Sequence, residues 1–295
     1  FNRMGRQWEK NRYELMVGFG ATNFLGDLGG QNQIGTGYRP TDLDWPSTAL
    51  GGLLGYRYRF KPRFATTTML NIARLRGDDK HTQEIIRRSR NLHFRSTIIS
   101  LSQRLEWIAY AKETMGRRYN IPGIRGMKDR NNQLYLFAGI GLTWFNPKGK
   151  YLNEWVALRP LGTEGQNMAD GPDPYSPITL IVPVGIGYRF ALNRKWRLGF
   201  ELTYTKTFSD YIDDVSNVYY SKEAITQNDG AIAGYFSNPS YENVEWFQTN
   251  NQRGDKDEYD AYLFFNIVGY YNLGQPGIMS FKSKGLRRPI RRYKF

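Results

Sequence analysis

A chain that alternates apolar with small or polar residues over long runs is restricted to extended structure with two unlike faces. In QLYLFAGIGLTWF (133–145), Leu134, Leu136, Ala138, Ile140, Leu142 and Trp144 fall on one face, and Gln133, Tyr135, Phe137, Gly139, Gly141 and Thr143 on the other. PITLIVPVGIGYRF (177–190), KWRLGFELTYT (195–205) and YDAYLFFNIVGYYNL (259–273) repeat the pattern, the last with Tyr259, Ala261, Leu263, Phe265, Ile267, Gly269, Tyr271 and Leu273 on its apolar face. Four weaker segments, 12–25, 47–60, 62–76 and 91–110, bring the set to eight. Pro183 lies on the inward set of its strand and predicts a local fault in that ladder.

Composition agrees with strands. Aromatics make up 15% of the chain, led by 21 Tyr and 17 Phe, with 31 Gly to supply turns and close approaches. The mean hydropathy of −0.61 does not exclude a membrane protein, because only alternate residues of a spanning strand face lipid and polar loops dilute the mean. No run of about eighteen apolar residues encodes a transmembrane helix. The opening FNRMGRQ lacks an initiator Met and an apolar leader, as a processed, exported chain or a shortened one would. With no Cys there is no disulfide framework.

The two faces separate a soluble barrel or sandwich from a membrane barrel. A soluble barrel turns its apolar face inward and its Lys and Glu outward. Here the apolar face is nearly free of charge and ends in Tyr, Trp or Phe, as interfacial girdles do. The other face is Gly, Thr and Tyr with single charges of both signs: Glu14, Arg57, Arg59, Arg104, Glu106, Arg189 and Glu201. An eight-stranded barrel is only wide enough to be filled by such side chains. The expected fold is therefore all-β, an eight-stranded antiparallel transmembrane β-barrel with long extracellular loops and basic periplasmic termini. Residues 1–12 form an N-terminal arm, 13–273 the barrel and 274–295 a basic tail.

Short turns at 61–62 and 191–195 set the orientation, since outer-membrane barrels keep short turns in the periplasm. The outer loops are then about 26–46, 77–90, 146–176 and 208–258. The connection 111–131 is an exception, long and basic on the short-turn side. The arm carries +3, this connection +4, and the tail KSKGLRRPIRRYKF (282–295) +7; together they equal the net charge of +14. Barrel and outer loops are neutral.

Catalytic signals are few. There is no Cys nucleophile, and of the two His residues His81 falls in a loop and His93 at a strand rim. A rim site modifying lipid or peptide is the alternative function, and two polar rim histidines the simpler account. DYIDDVS places Asp210, Asp213 and Asp214 together, without the regular ligand alternation of a calcium loop. Capping strand ends or pairing with loop Arg fits them better. No phosphate-cradling glycine motif occurs, so no cofactor is expected. The tail could neutralise nucleic-acid phosphates or anionic lipid heads. Leu286, Ile290, Tyr293 and Phe295 among Lys282, Lys284, Arg287, Arg288, Arg291 and Arg292 instead suit a protein partner, and no nucleic acid is expected.

Seven pieces carry a family resemblance: GFGATNFLGDLGG (18–30), GYRYRFKPRFA (55–65), RGDD (76–79), RNLHFRS (90–96), FAGIGLTWFNPKG (137–149), RPLGTEGQ (159–166) and TFSDYIDDVS (207–216). From about Tyr13 to Leu273 the chain resembles the PorG-like outer-membrane proteins of the Bacteroidetes type IX secretion system. The resemblance implies an integral outer-membrane barrel that is not an enzyme, with outer-membrane lipids around it. It also implies association with a periplasmic ring of a PorK-like lipoprotein and a PorN-like protein. Docking of that ring by the basic arms is an expectation from charge.

Overall fold

The computed structural model describes residues 8–28, 45–82, 84–114, 130–193, 195–240, 242–256 and 258–274. The chain forms β1 (Tyr13–Leu25), β2 (Ala49–Lys61), β3 (Phe64–Asp78), β4 (His93–Thr114), β5 (Arg130–Tyr151), a short β6 (Glu154–Ala157), β7 (Ile178–Ala191), β8 (Trp196–Thr207) and β9 (Ala261–Asn272). Each long strand pairs antiparallel with its neighbours in sequence, and β4 pairs with β5. β9 pairs with β1 from Glu14↔Asn272 to Leu25↔Ala261 and closes the ring. The result is an eight-stranded barrel, with β6 a hairpin appendage paired only to the far end of β5.

Side chains alternate across the wall as the sequence pattern requires. Outside, Phe19 (65% exposed), Leu50 (76%) and Ile140 (60%) are bare. So large an apolar surface needs hydrocarbon around it, and a closed barrel is the β architecture that leaves no unpaired edge in lipid. At the short-turn end the apolar belt finishes in aromatics: Tyr13 stacks on Tyr58, Phe60 lies beside Phe64, and Trp196 beside Tyr271. Such rings prefer the boundary between hydrocarbon and water.

Two departures from the sequence pattern have physical causes, and the ladder fault expected at Pro183 is present. β4 and β5 run 22 residues each, well past the apolar stretches. Backbone pairing continues to Thr114↔Arg130 at one end and Arg95↔Lys148 at the other, since beyond the bilayer a ladder needs no apolar side chains. The β5–β7 ladder skips from Ala138↔Val184 to Gly141↔Ile181, at Pro183, which has no N–H to give. Ala261 and Leu263 are buried, although they fall on the outward set of β9, because they cluster with Leu25 and Tyr204.

Among the described residues three loop helices occur: α1 (Ile85–Arg90), α2 (Lys222–Asp229) and α3 (Ala231–Ser237). The α1 N-cap is Glu84, whose carboxylate accepts from Ile86 N and Arg87 N. Asn91 ends the helix at φ 58, a left-handed position that Asn tolerates. The largest apolar core lies at the loop end. Phe24, Phe94, Ile98, Phe145 and Phe264 from the barrel meet Leu158, Tyr175, Ile212, Val215 and Phe236 from the loops. These loops fold onto the barrel mouth as a packed cap.

Candidate functional site: an ion-paired lumen under a packed cap

Inward parity brings the lumen charges together. Arg57 is fully buried and donates from Nη1 to Glu14 Oε2 at 2.7 Å and from Nε to Glu106 Oε2 at 2.6 Å. Arg197 Nη1 lies 2.9 Å from Glu14 Oε1, and Arg189 Nη2 lies 3.4 Å from Glu106 Oε2. Arg189 also donates to Gln133 Oε1 at 2.7 Å. Arg197 belongs to this chain of charges although it stands outside the expected set; its parity with Glu201 on β8 was the available signal.

Glu201 is differently placed. Its pair with Arg104 is long at 3.4 Å, while Tyr135 OH donates to Glu201 Oε1 at 2.6 Å and Tyr270 OH at 2.8 Å. Tyr135 reaches that carboxylate by lying over Gly187, where a Cβ would stand 2.2 Å from its ring. The Arg104 guanidinium sits 4.9 Å over Phe137. Nearer the short-turn mouth, Arg59 donates to Pro62 O at 3.2 Å and stands 5.9 Å over the Trp8 ring, part of the Trp8–Asn11 turn. The lumen carries its own counter-ions and is filled by them.

The cap is held by a second, separate polar core. Arg90 embraces Asp79 with Nε–Oδ2 at 2.9 Å and Nη2–Oδ1 at 3.0 Å. It also donates to the carbonyls of Arg253 (2.7 Å) and Asp27 (2.8 Å), tying three loops together. Arg253 pairs with Glu164 at 2.8 Å, and Glu164 accepts from Ser216 N at 2.9 Å. Thr163 Oγ1 and Tyr175 OH each donate to Asp214 at 2.6 Å. The segments RPLGTEGQ and TFSDYIDDVS therefore touch directly, a contact no local sequence pattern announces.

Of the acidic cluster, Asp213 accepts from Leu28 N at 3.2 Å and Val215 N at 3.1 Å. Asp260 accepts from Ile212 N at 2.9 Å. Asp210 is buried with neither carboxylate oxygen in a hydrogen bond of normal geometry. Burial, then the neighbouring Asp27 charge, push its carboxyl up to about 9. Burial pushes Asp214 up to about 6, against the pull of Arg253. Asp213 and Asp260 are likewise raised, first by burial and then by their acidic neighbours. Among the described residues no three His, Asp or Glu side chains converge as a metal site.

His81 is exposed in the turn after β3. His93 opens β4 and accepts at Nε2 from Lys150 N at 3.0 Å, so its ring is bound to backbone. The tail positions Lys282, Lys284, Leu286, Arg287, Arg288, Ile290, Arg291, Arg292, Tyr293 and Phe295 lie outside the described residues.

No family model matches the sequence, and no curated relative matches it either. Solved structures similar in outline include Neisserial surface protein A, at 5% identity and TM-score 0.37, covering 88% of this chain and 96% of that one. The attachment invasion locus protein Ail of Yersinia pestis gives 11% and 0.35, covering 88% and 98%. The N-terminal β-barrel domain of Pseudomonas aeruginosa OprF gives 8% and 0.30, covering 88% and 98%. At these scores the architecture rests on the strand pairing described above.

Proposed function

We propose that this chain is a non-catalytic anchor in the outer membrane, a component of type IX protein secretion that holds a periplasmic ring of PorK-like and PorN-like subunits. The observation that supports this reading is the common end of the barrel at which the strands that lead into the basic segments finish. The start of β1, the end of β9, the end of β4 and the start of β5 all stand at the short-turn end, by the registers Glu14↔Asn272 and Thr114↔Arg130. The chain's whole net charge of +14 belongs to the segments joined there. A lumen filled by ion pairs supports a scaffold over a pore, and the motif resemblance supports the secretion system.

The cations would steer encounter with an acidic groove on the ring, while Leu286, Ile290, Tyr293 and Phe295 slow its release. Affinity purification of the barrel from its native host tests this. The intact chain should bring down the ring subunits, and deletion of 282–295 should lose them while barrel insertion is spared. Full recovery with the truncated chain would move the contact to 111–131 or the N-terminal arm. Absence of ring subunits from the intact chain would end the docking reading.

A further inference from the structure

Outside the barrel, at the loop end, the register builds a row of like charges. Arg76 on β3 stands directly opposite Arg95 on β4, and Arg95 directly opposite Lys148 on β5. All three are on the outward parity, and Arg74 and Lys150 flank them on the same face. Directly opposed side chains are about 5 Å apart at Cβ, and like charges so placed repel. Among the described residues none of the five forms an ion pair. The charges acting on Arg95 are Arg74 and Arg76.

Acidic neighbours do not resolve the repulsion. Asp78, one outward step beyond Arg76, accepts from Lys80 N at 3.0 Å as a turn cap. Glu154 is exposed in the β5–β6 hairpin, opposite Tyr151. Arg95 is held in place instead by Trp155, its guanidinium 4.0 Å over that ring. The next outward row but one toward the strand middles is apolar: Ile72↔Ile99↔Trp144. Between the two rows lies Arg74↔Thr97↔Asn146, which offers hydrogen-bond donors.

We propose that Arg76, Arg95 and Lys148 form a binding site for the phosphate of a membrane lipid headgroup, whose acyl chains lie on the apolar rows below. The layering matches an amphiphile: hydrocarbon against Ile72, Ile99 and Trp144, phosphate against the cations, each of which gains about the attraction a surface cation has for an anionic leaflet. A free phosphate would satisfy the charges but leave no role for their position one polar row above the apolar belt. This rests on the transmembrane reading, and the two can fail separately.

The test uses the full chain in nanodiscs of phosphatidylcholine containing a minor fraction of phosphatidic acid, with retained lipids counted by native mass spectrometry. The intact chain should retain phosphatidic acid over phosphatidylcholine. The triple variant Arg76→Gln/Arg95→Gln/Lys148→Gln should lose that preference by at least about tenfold, yet keep its heat-dependent gel mobility. No preference in the intact chain, or an unchanged preference in the variant, would overturn the site. So would displacement of the lipid by equimolar inorganic phosphate, or capture of an acidic protein in place of lipid. A chain that is monomeric in detergent-free buffer would instead overturn the transmembrane reading.

Discussion

Thr163 donates its hydroxyl to Asp214 at 2.6 Å, bridging two loops 51 residues apart in sequence. Thr163→Val keeps the shape and removes the donor. It should loosen the cap by about 1–3 kcal/mol, the cost of an unsatisfied buried acceptor. Hydrogen exchange should rise in 159–166 and 208–216, with the barrel strands unchanged. Equal protection in both proteins would mean that Tyr175 alone suffices.

The cap should be tighter in acid than in alkali. A carboxyl raised on folding, as Asp214 is to about 6 and Asp210 to about 9, binds more protons folded than unfolded. Its stabilisation is complete below about pH 4 and is lost as pH rises through those folded values. Protease resistance of the loops should therefore decline from pH 5 to 9. Asp210→Asn, which removes the need to bind a proton on folding, should flatten that decline and strengthen the cap at neutral pH. A profile that rises toward alkali would contradict the assignment.

In the lumen the three carboxylates, Glu14, Glu106 and Glu201, are not equivalent. Arg57 bridges Glu14 and Glu106, so Arg57→Met strands buried charge and should destabilise the barrel by about 3–5 kcal/mol in heat-unfolding measurements. Restoring neutrality with Glu106→Gln in the same chain should recover part of the loss. Glu201→Gln should cost less, because Tyr135 and Tyr270 can still donate to the amide oxygen.

Planar bilayers should register no steady porin-like current from the intact chain, the lumen being occupied from Arg57 up to Phe145. A sustained open level would show that the ion-paired layers part in the membrane.

On the proposed non-catalytic reading, replacing His81 or His93 by Ala should leave secretion and barrel abundance at the wild-type level. His93 receives a backbone N–H from Lys150, and losing it should at most loosen the β5–β6 hairpin. Loss of secretion with normal barrel abundance would favour the rim-enzyme alternative.

Much of this was legible in the chain because a barrel wall is a period-two object. Parity alone places Glu14, Arg57, Glu106 and Arg189 on one inner surface, and Phe19 and Ile140 outside. Which partner each charge takes was not legible, since that depends on strand stagger; hence Glu201 meets two tyrosines before it meets Arg104. The cap was least legible. Arg90, Asp79 and the Arg253 carbonyl come from loops with no periodicity, and their meeting is decided only after the ring has brought those loops together. The long ends of β4 and β5 escaped notice because polar residues beyond the bilayer carry no alternation to read.

The pairing of β9 with β1 also sets an order of events. Until Ala261–Asn272 has been delivered, β1 and β8 are both bare edges, open to any passing strand. The last strand of the barrel in chain order is the one that removes them. Asp260 sits one residue before it and accepts from Ile212, so the same step that seals the wall seats the cap. An exported chain of this design must be kept from pairing with its neighbours for its whole length, then finish wall and cap in one closing movement.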